Sequence, residues 1–341
     1  MNTYKTIFSG QLEFGSERSF EKVLGLFEHR KENYYRNEII FKAEEVFDAD
    51  TRCLKVPRLI AQTSDKSWKN TINLLEYLSQ YAIAGDFRAW RTSEGKMIDS
   101  RFIEPNCDKA AVQAYLQGRE LINESGKEEE AKAALNRAID KFARHSKAYE
   151  RRGKVNYQLG NYKDALYDYT KSIDINPNAP FAYLGRALVH IQEGNFAEAI
   201  PDLEMTCKRS IPHQSVYWKA RRLKGECHLE LEEYDKAIFE FKLFIQRKSQ
   251  PDDDNRYWRR KVYGLYGIAL VSTGQYLEAI EAFNAALESS PEIPSETLQA
   301  ENLLYRGIAR QKAGENGFTN DWKEAAGLGS ERAAELLAEH A

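Results

Sequence analysis

SKAYERRGKVNYQLGNYKDALYDYTKSIDINPN, residues Ser146–Asn178, holds two amphipathic helices and the break between them. A helical stretch runs through Tyr149, Gly153 and Tyr157, and Gly160 interrupts it. A second stretch carries Tyr162, Ala165, Tyr169 and Ile173 before Pro177 ends it. The same grammar returns, roughly 34 residues on, at Tyr183, Ala187, Gly194, Phe196, Ala199 and Leu203. After longer connections it recurs at Gly225, Tyr234, Ala237 and Phe241, then at Gly267, Gly274, Tyr276, Ala279, Phe283 and Pro291. Small residues let paired helices approach, aromatics fill the space left, and each pair keeps an apolar face that only the next pair can cover.

Weaker units flank these. Gly118, Ala131, Leu135 and Ala138 make a first repeat with about one extra residue in its turn near Gly126. Tyr305, Gly307 and Gly314 open a sixth, whose second helix holds Trp322, Ala325 and Ala326. Glu331–His340 then reads as a polar capping helix with Ala334 and Leu337 inward. The recurrence of small, aromatic and proline positions closely resembles the tetratricopeptide repeat family over residues 106–341. The ending Asp321–Gly329 is similar to the closing repeat of bacterial members. The resemblance implies an all-α superhelical solenoid that binds protein segments.

Before Pro105 the period changes. Tyr4, Phe8, Leu12 and Phe14 alternate with polar residues at strand spacing, and Ser16 can cap a helix carrying Phe20, Val23, Leu24 and Phe27. Ile39–Phe47 and Arg52–Ile60 read as strands about an Asp48-Ala49-Asp50 turn. Ser67 is the expected cap of a second helix with Trp68, Ile72, Leu75, Leu78 and Ala82, and Asp86–Thr92 and Met97–Ile103 form a hairpin about Glu94-Gly95. The order predicts an α+β sandwich of ferredoxin-like type over residues 1–105, a fold that by itself assigns no job.

A net charge of −3 and a pI near 6.2 exert no global pull toward nucleic acid or an anionic membrane. An RNA reader needs aromatic and basic residues together on an open sheet face, whereas alternation sets Trp90 and Arg91 on opposite faces, so nucleic acid is not the expected partner. Gly10 and Gly15 make no phosphate loop. Cys53, Cys107, Cys207 and Cys227 lie far apart, and the six histidines have no metal-ligand spacing. No catalytic constellation, metal or cofactor is therefore expected. The start Met1-Asn2-Thr3-Tyr4-Lys5 lacks a basic, apolar and cleavable leader, and no run is long enough to span a bilayer, so the expected compartment is the cytoplasm.

In the family, the first helix of each pair lines the concave surface where peptides lie. The register places Tyr115 and Arg119, then Glu150, Arg151 and Lys154, then Phe181, Leu184, Leu188 and Ile191 on that face. Lys219, Arg222 and Glu226, then Gly264, Leu265 and Ile268, follow. Basic and apolar patches alternate, which suits a partner with an acidic and an apolar anchor. Chaperone-binding members clamp a terminal carboxylate with Lys, Asn and Arg; this chain has Tyr115, Arg119, Arg151, Phe181 and Gly185 at those places, so the clamp is missing. The Arg151-Arg152-Lys154 and Arg221-Arg222-Lys224 runs either bind an acidic partner or pair locally with Glu150 and Glu226. Pro251-Asp252-Asp253-Asp254 in a long linker lacks the spaced oxygens of a calcium loop. The expected function is a non-enzymatic scaffold or adaptor. The alternative is an N-terminal enzyme or small-molecule sensor whose target the repeats recruit, and a pocket with convergent polar groups would mark it, as a filled core and bare sheet edge would mark the scaffold.

Overall fold

A computed structural model describes residues 3–247, 254–289 and 295–340; the Pro251-Asp252-Asp253 linker and Pro291 lie outside the described residues. The chain divides into two compact units, residues 1–189 and 190–341.

The first unit opens with β1 (Thr3–Glu13) and α1 (Glu17–Asn33), capped as expected by Ser16, whose hydroxyl accepts from the Ser19 N–H at 3.2 Å. A single turn α2 (Ala43–Val46) leads into the two-residue β2 (Phe47–Asp48), then β3 (Cys53–Ser64), α3 (Asp65–Ser79), β4 (Ala84–Ser93) and β5 (Lys96–Ile103). The sheet order is β2-β3-β1-β4-β5, and β1 runs antiparallel to both β3 and β4. This is the expected ferredoxin-like arrangement with one further strand, β5, added outside β4 by a hairpin. Glu94 and Gly95 turn that hairpin with φ of 51° and 76°, the left-handed pair that matches strand twist. Phe20, Val23 and Phe27 of α1 and Trp68, Ile72 and Leu75 of α3 pack on Phe8, Leu12, Leu54, Phe87 and Ala89, filling the space between helices and sheet.

Two local expectations fail. Ile39–Phe47 is not a strand: Ile39 and Ile40 pack on the core from an irregular segment, where the Ile40 N–H is met by Thr71 Oγ1 at 3.1 Å, and the α2 turn postpones pairing to Phe47. The cap of α3 is Ser64, which accepts from the Ser67 N–H; Ser67 lies inside the helix.

Helix pairs follow in the same unit. α4 (Ala110–Leu121) packs on α5 (Glu128–Lys141), α6 (Ser146–Gln158) on α7 (Tyr162–Ile175), and α8 (Pro180–Gln192) begins there, with its last turn beyond the division at 189. The second unit contains α9 (Phe196–Arg209), α10 (Ser215–Glu230), α11 (Tyr234–Gln246), α12 (Arg259–Ser272), α13 (Tyr276–Glu288), α14 (Glu296–Ala313), α15 (Phe318–Gly327) and α16 (Glu331–Glu339).

The small positions work as the pattern implies. A Cβ on Gly225 would stand 2.5 Å from the Phe241 ring, one on Gly267 2.6 Å from Phe283, and one on Gly153 3.0 Å from Tyr169. Gly118 meets Leu135 at 2.7 Å in the first repeat and Gly307 meets Trp322 in the last. The capping helix buries Ala333 and Leu336, with Leu337 half-buried; Ala334 faces out, one position from the expected stripe. Among the described residues, no helix is long and apolar enough to cross a membrane.

Candidate partner-binding groove

In the first unit, the residues expected on the inner face come from α4, α6 and α8. His145 caps α6: its Nδ1 accepts from the Ala148 N–H at 3.2 Å, and its ring packs on Tyr115 in a tilted arrangement, centroids 4.8 Å apart. Nδ1 can accept only while the imidazole is neutral, and burial pushes the His145 pKa down to about 3.

One turn on, a charged cluster joins the sheet to the helices. Lys147 Nζ lies 2.9 Å from Asp86 of β4 and donates to Glu150 at 3.0 Å, and all three side chains are largely buried. Burial opposes charge on Asp86, but Lys147 and Arg88 outweigh it and hold the carboxyl below its ordinary range. Arg88 and Lys147 both lie against the Phe181 ring, at 5.1 and 5.7 Å from its centre. These contacts place the starts of α6 and α8 side by side under β4. They also cover part of Phe181, which the sequence reading left open to a partner.

The other predicted residues divide into two groups. Leu184 is 7 % exposed, and so a packing residue where an open apolar surface was expected. Arg119 pairs with Glu104, at the end of the sheet domain. Leu188 is half-buried on α8, as is Ile191 nearer that helix's end. Arg151 stands 3.8 Å from Glu150, and its Nε meets no hydrogen-bond acceptor among the described residues. Lys154, half-buried one turn along α6, forms no salt bridge among the described residues. Burial and then Arg151 push its pKa down, with Glu150 offsetting only part. Lys154 is thus a positive charge with no paired carboxylate among the described residues, standing beside Arg151, whose guanidinium Glu150, Tyr115 and Asp86 hold charged.

In the second unit, Arg222 is 3 % exposed, paired with Glu226 and stacked on Trp258 at 3.8 Å, so it is an internal strut and not a free anchor. Leu265 is half-buried against the cluster around Phe241 and Phe283.

The basic runs contain an ion-pair system that sequence reading missed. Arg152 makes a two-pronged bond to Asp168 (2.6 and 2.9 Å) and donates to Asn136 at 2.7 Å. Arg306 repeats this with Asp321 and Asn284, while Arg221 and Lys224 share Glu240 at 2.6 and 2.8 Å. Arg152, Lys224 and Arg306 directly precede the small position of their repeats, and Asp168, Glu240 and Asp321 directly precede the large aromatic. That coincidence is readable in the sequence once the period is known.

Profiles of the tetratricopeptide repeat match residues 146–179, 184–250 and 261–293. No curated protein matches the chain in sequence. Among solved structures, YrrB, titled a TPR protein with an unusual peptide-binding site, aligns over 62 % of this chain and 100 % of its own at 16 % identity and a TM-score of 0.51. PilF of Pseudomonas aeruginosa covers 68 % of this chain and 98 % of its own at 16 % identity and 0.52. PilW, titled a widely conserved type IV pilus biogenesis factor, covers 67 % and 99 % at 14 % identity and 0.50. These identities establish shared fold alone. With three profile matches, the glycine–aromatic packing of successive helix pairs and solenoid neighbours, the chain is a tetratricopeptide-repeat protein that carries an N-terminal ferredoxin-like domain and belongs to a class of protein-interaction scaffolds.

Proposed function

We propose that this protein is a non-enzymatic cytoplasmic adaptor. It holds an extended partner segment along α6 and α8, with an acidic side chain at Arg151 and Lys154 and an apolar one beside Leu188. The observation that carries this reading is the half-buried Lys154, which has no paired carboxylate among the described residues and stands beside Arg151. Keeping an ammonium partly out of water beside a guanidinium costs free energy that a partner carboxylate recovers. The filled core of the N-terminal domain and its bare β5 edge favour the scaffold over a sensor or enzyme. YrrB, of like fold, is a precedent for a peptide site on such a scaffold.

Display selection of random peptides on the full chain tests this. Enriched peptides should combine an acidic and an apolar residue, and Lys154→Glu should weaken them at least tenfold, with the larger effect at low salt. Selected peptides that bind Lys154→Glu and the parent chain equally would remove the site from α6.

A further inference from the structure

We propose that the outer edge of β5 is a self-complementary docking strand whose partner is a second copy of this chain, paired antiparallel about Ser100. The sheet order leaves β5 hydrogen-bonded to β4 on one side only. Its other side presents backbone N–H and C=O groups in a row, a template for another strand. Ile98 and Phe102 are 46 % and 50 % exposed, and Ser100 and Arg101 between and beside them are exposed too.

The sequence of this edge says what fits it. Directly opposed residues in an antiparallel pair share a face, so a two-fold axis joining identical strands must pass through a residue. With the axis through Ser100, Asp99 stands opposite Arg101 of the second copy, and Ile98 stands opposite its Phe102, each pair occurring twice. Moving the axis to Asp99 or Arg101 sets that charge against itself. Within one chain Arg101 already reaches Asp99 at 3.5 Å along the strand, so the two charges share a face and exchange an internal partner for an external one. The β4–β5 register slips between Arg91 and Thr92, where Ile98 has no partner on β4; from Asp99 to Ile103 the run is regular, so both Asp99–Arg101 pairs about Ser100 fall within it and the Ile98–Phe102 contacts flank it. Pairing would join two five-stranded sheets into one of ten strands.

The test is the mass of the full chain by light scattering and sedimentation over a concentration series. The parent chain should dimerise reversibly. Asp99→Arg and Arg101→Asp alone should each weaken dimerisation at least tenfold, by setting like charges opposite each other. An equimolar mixture of the two variants should recover a dimer, because every cross-strand charge pair is then of opposite sign, and an unfolded variant could not give this recovery. Since Asp99 also accepts from Trp68 Nε1 at 3.3 Å, Ser100→Cys gives an independent probe: on the axis, it should form a disulfide-linked dimer under mild oxidation, beyond the level of the parent chain. A monomeric parent chain, a dimer that neither single reversal weakens, variants that stay apart when mixed, or no cross-link at Ser100→Cys would each overturn the proposal. So would a parent chain that stays monomeric and takes up an unrelated extended peptide along β5.

Discussion

Glu13 shows how one side chain can set the pH response of the sheet domain. It is 2 % exposed on β1, where Oε1 accepts from Gln11 Nε2 at 3.0 Å and Arg144 lies 3.8 Å away. Burial outweighs these favourable partners and pushes its pKa up to about 7 from an ordinary 4.5. Between those values the native carboxyl keeps a proton that an unfolded glutamate has released. The stability contributed by the neutral form is therefore complete below about 4.5 and is lost as pH rises through 7. Glu13→Gln should not suffer that loss. Relative to the parent chain it should gain roughly 1–3 kcal/mol in urea unfolding between pH 5 and pH 8.5. A stability difference that stays constant across that range would mean the carboxyl is not held protonated. Glu13 was invisible as such in the sequence, because alternation told its face but not that this face is covered.

For the helices, the close approach of each pair is the feature that the sequence disclosed best. The spacing from Gly153 to Tyr169 recurs from Gly225 to Phe241 and from Gly267 to Phe283, and the structure puts each ring against its glycine. Gly225→Ala should destabilise the fold by about 1–3 kcal/mol, since overlap with Phe241 outweighs the gain of about 1 kcal/mol in helix propensity. Gly25→Ala in α1, where nothing lies within 4 Å, should show that propensity gain alone and raise the melting temperature. Two variants that melt alike would contradict the packing account. What the sequence hid has a common cause: it depends on partners distant in the chain. Leu184 is buried by neighbours that one helix does not reveal, and Arg152 and Arg222 are occupied by Asp168 and by Glu226 with Trp258. Ile39–Phe47 failed for another reason, since a short apolar run packs equally well as an irregular segment.

Across the molecule, the ferredoxin-like domain and the repeats meet through Asp86, Lys147, Glu13 and Arg144 within the first compact unit. We keep the domain division proposed at residues 105 and 106, because each repeat buries its apolar face against its neighbours. A 106–341 fragment should fold and unfold cooperatively at a lower temperature than the whole chain, with Lys147 retaining Glu150 after losing Asp86. A fragment without helical circular dichroism would remove that boundary. The central claim is that a partner lies on the first helices of the repeats. Hydrogen–deuterium exchange of the full chain, with and without a display-selected acidic peptide, tests it most directly. The account predicts new protection concentrated in α6 and α8, abolished by Lys154→Glu; protection appearing instead in α7, or in the sheet with α6 and α8 unchanged, would contradict it.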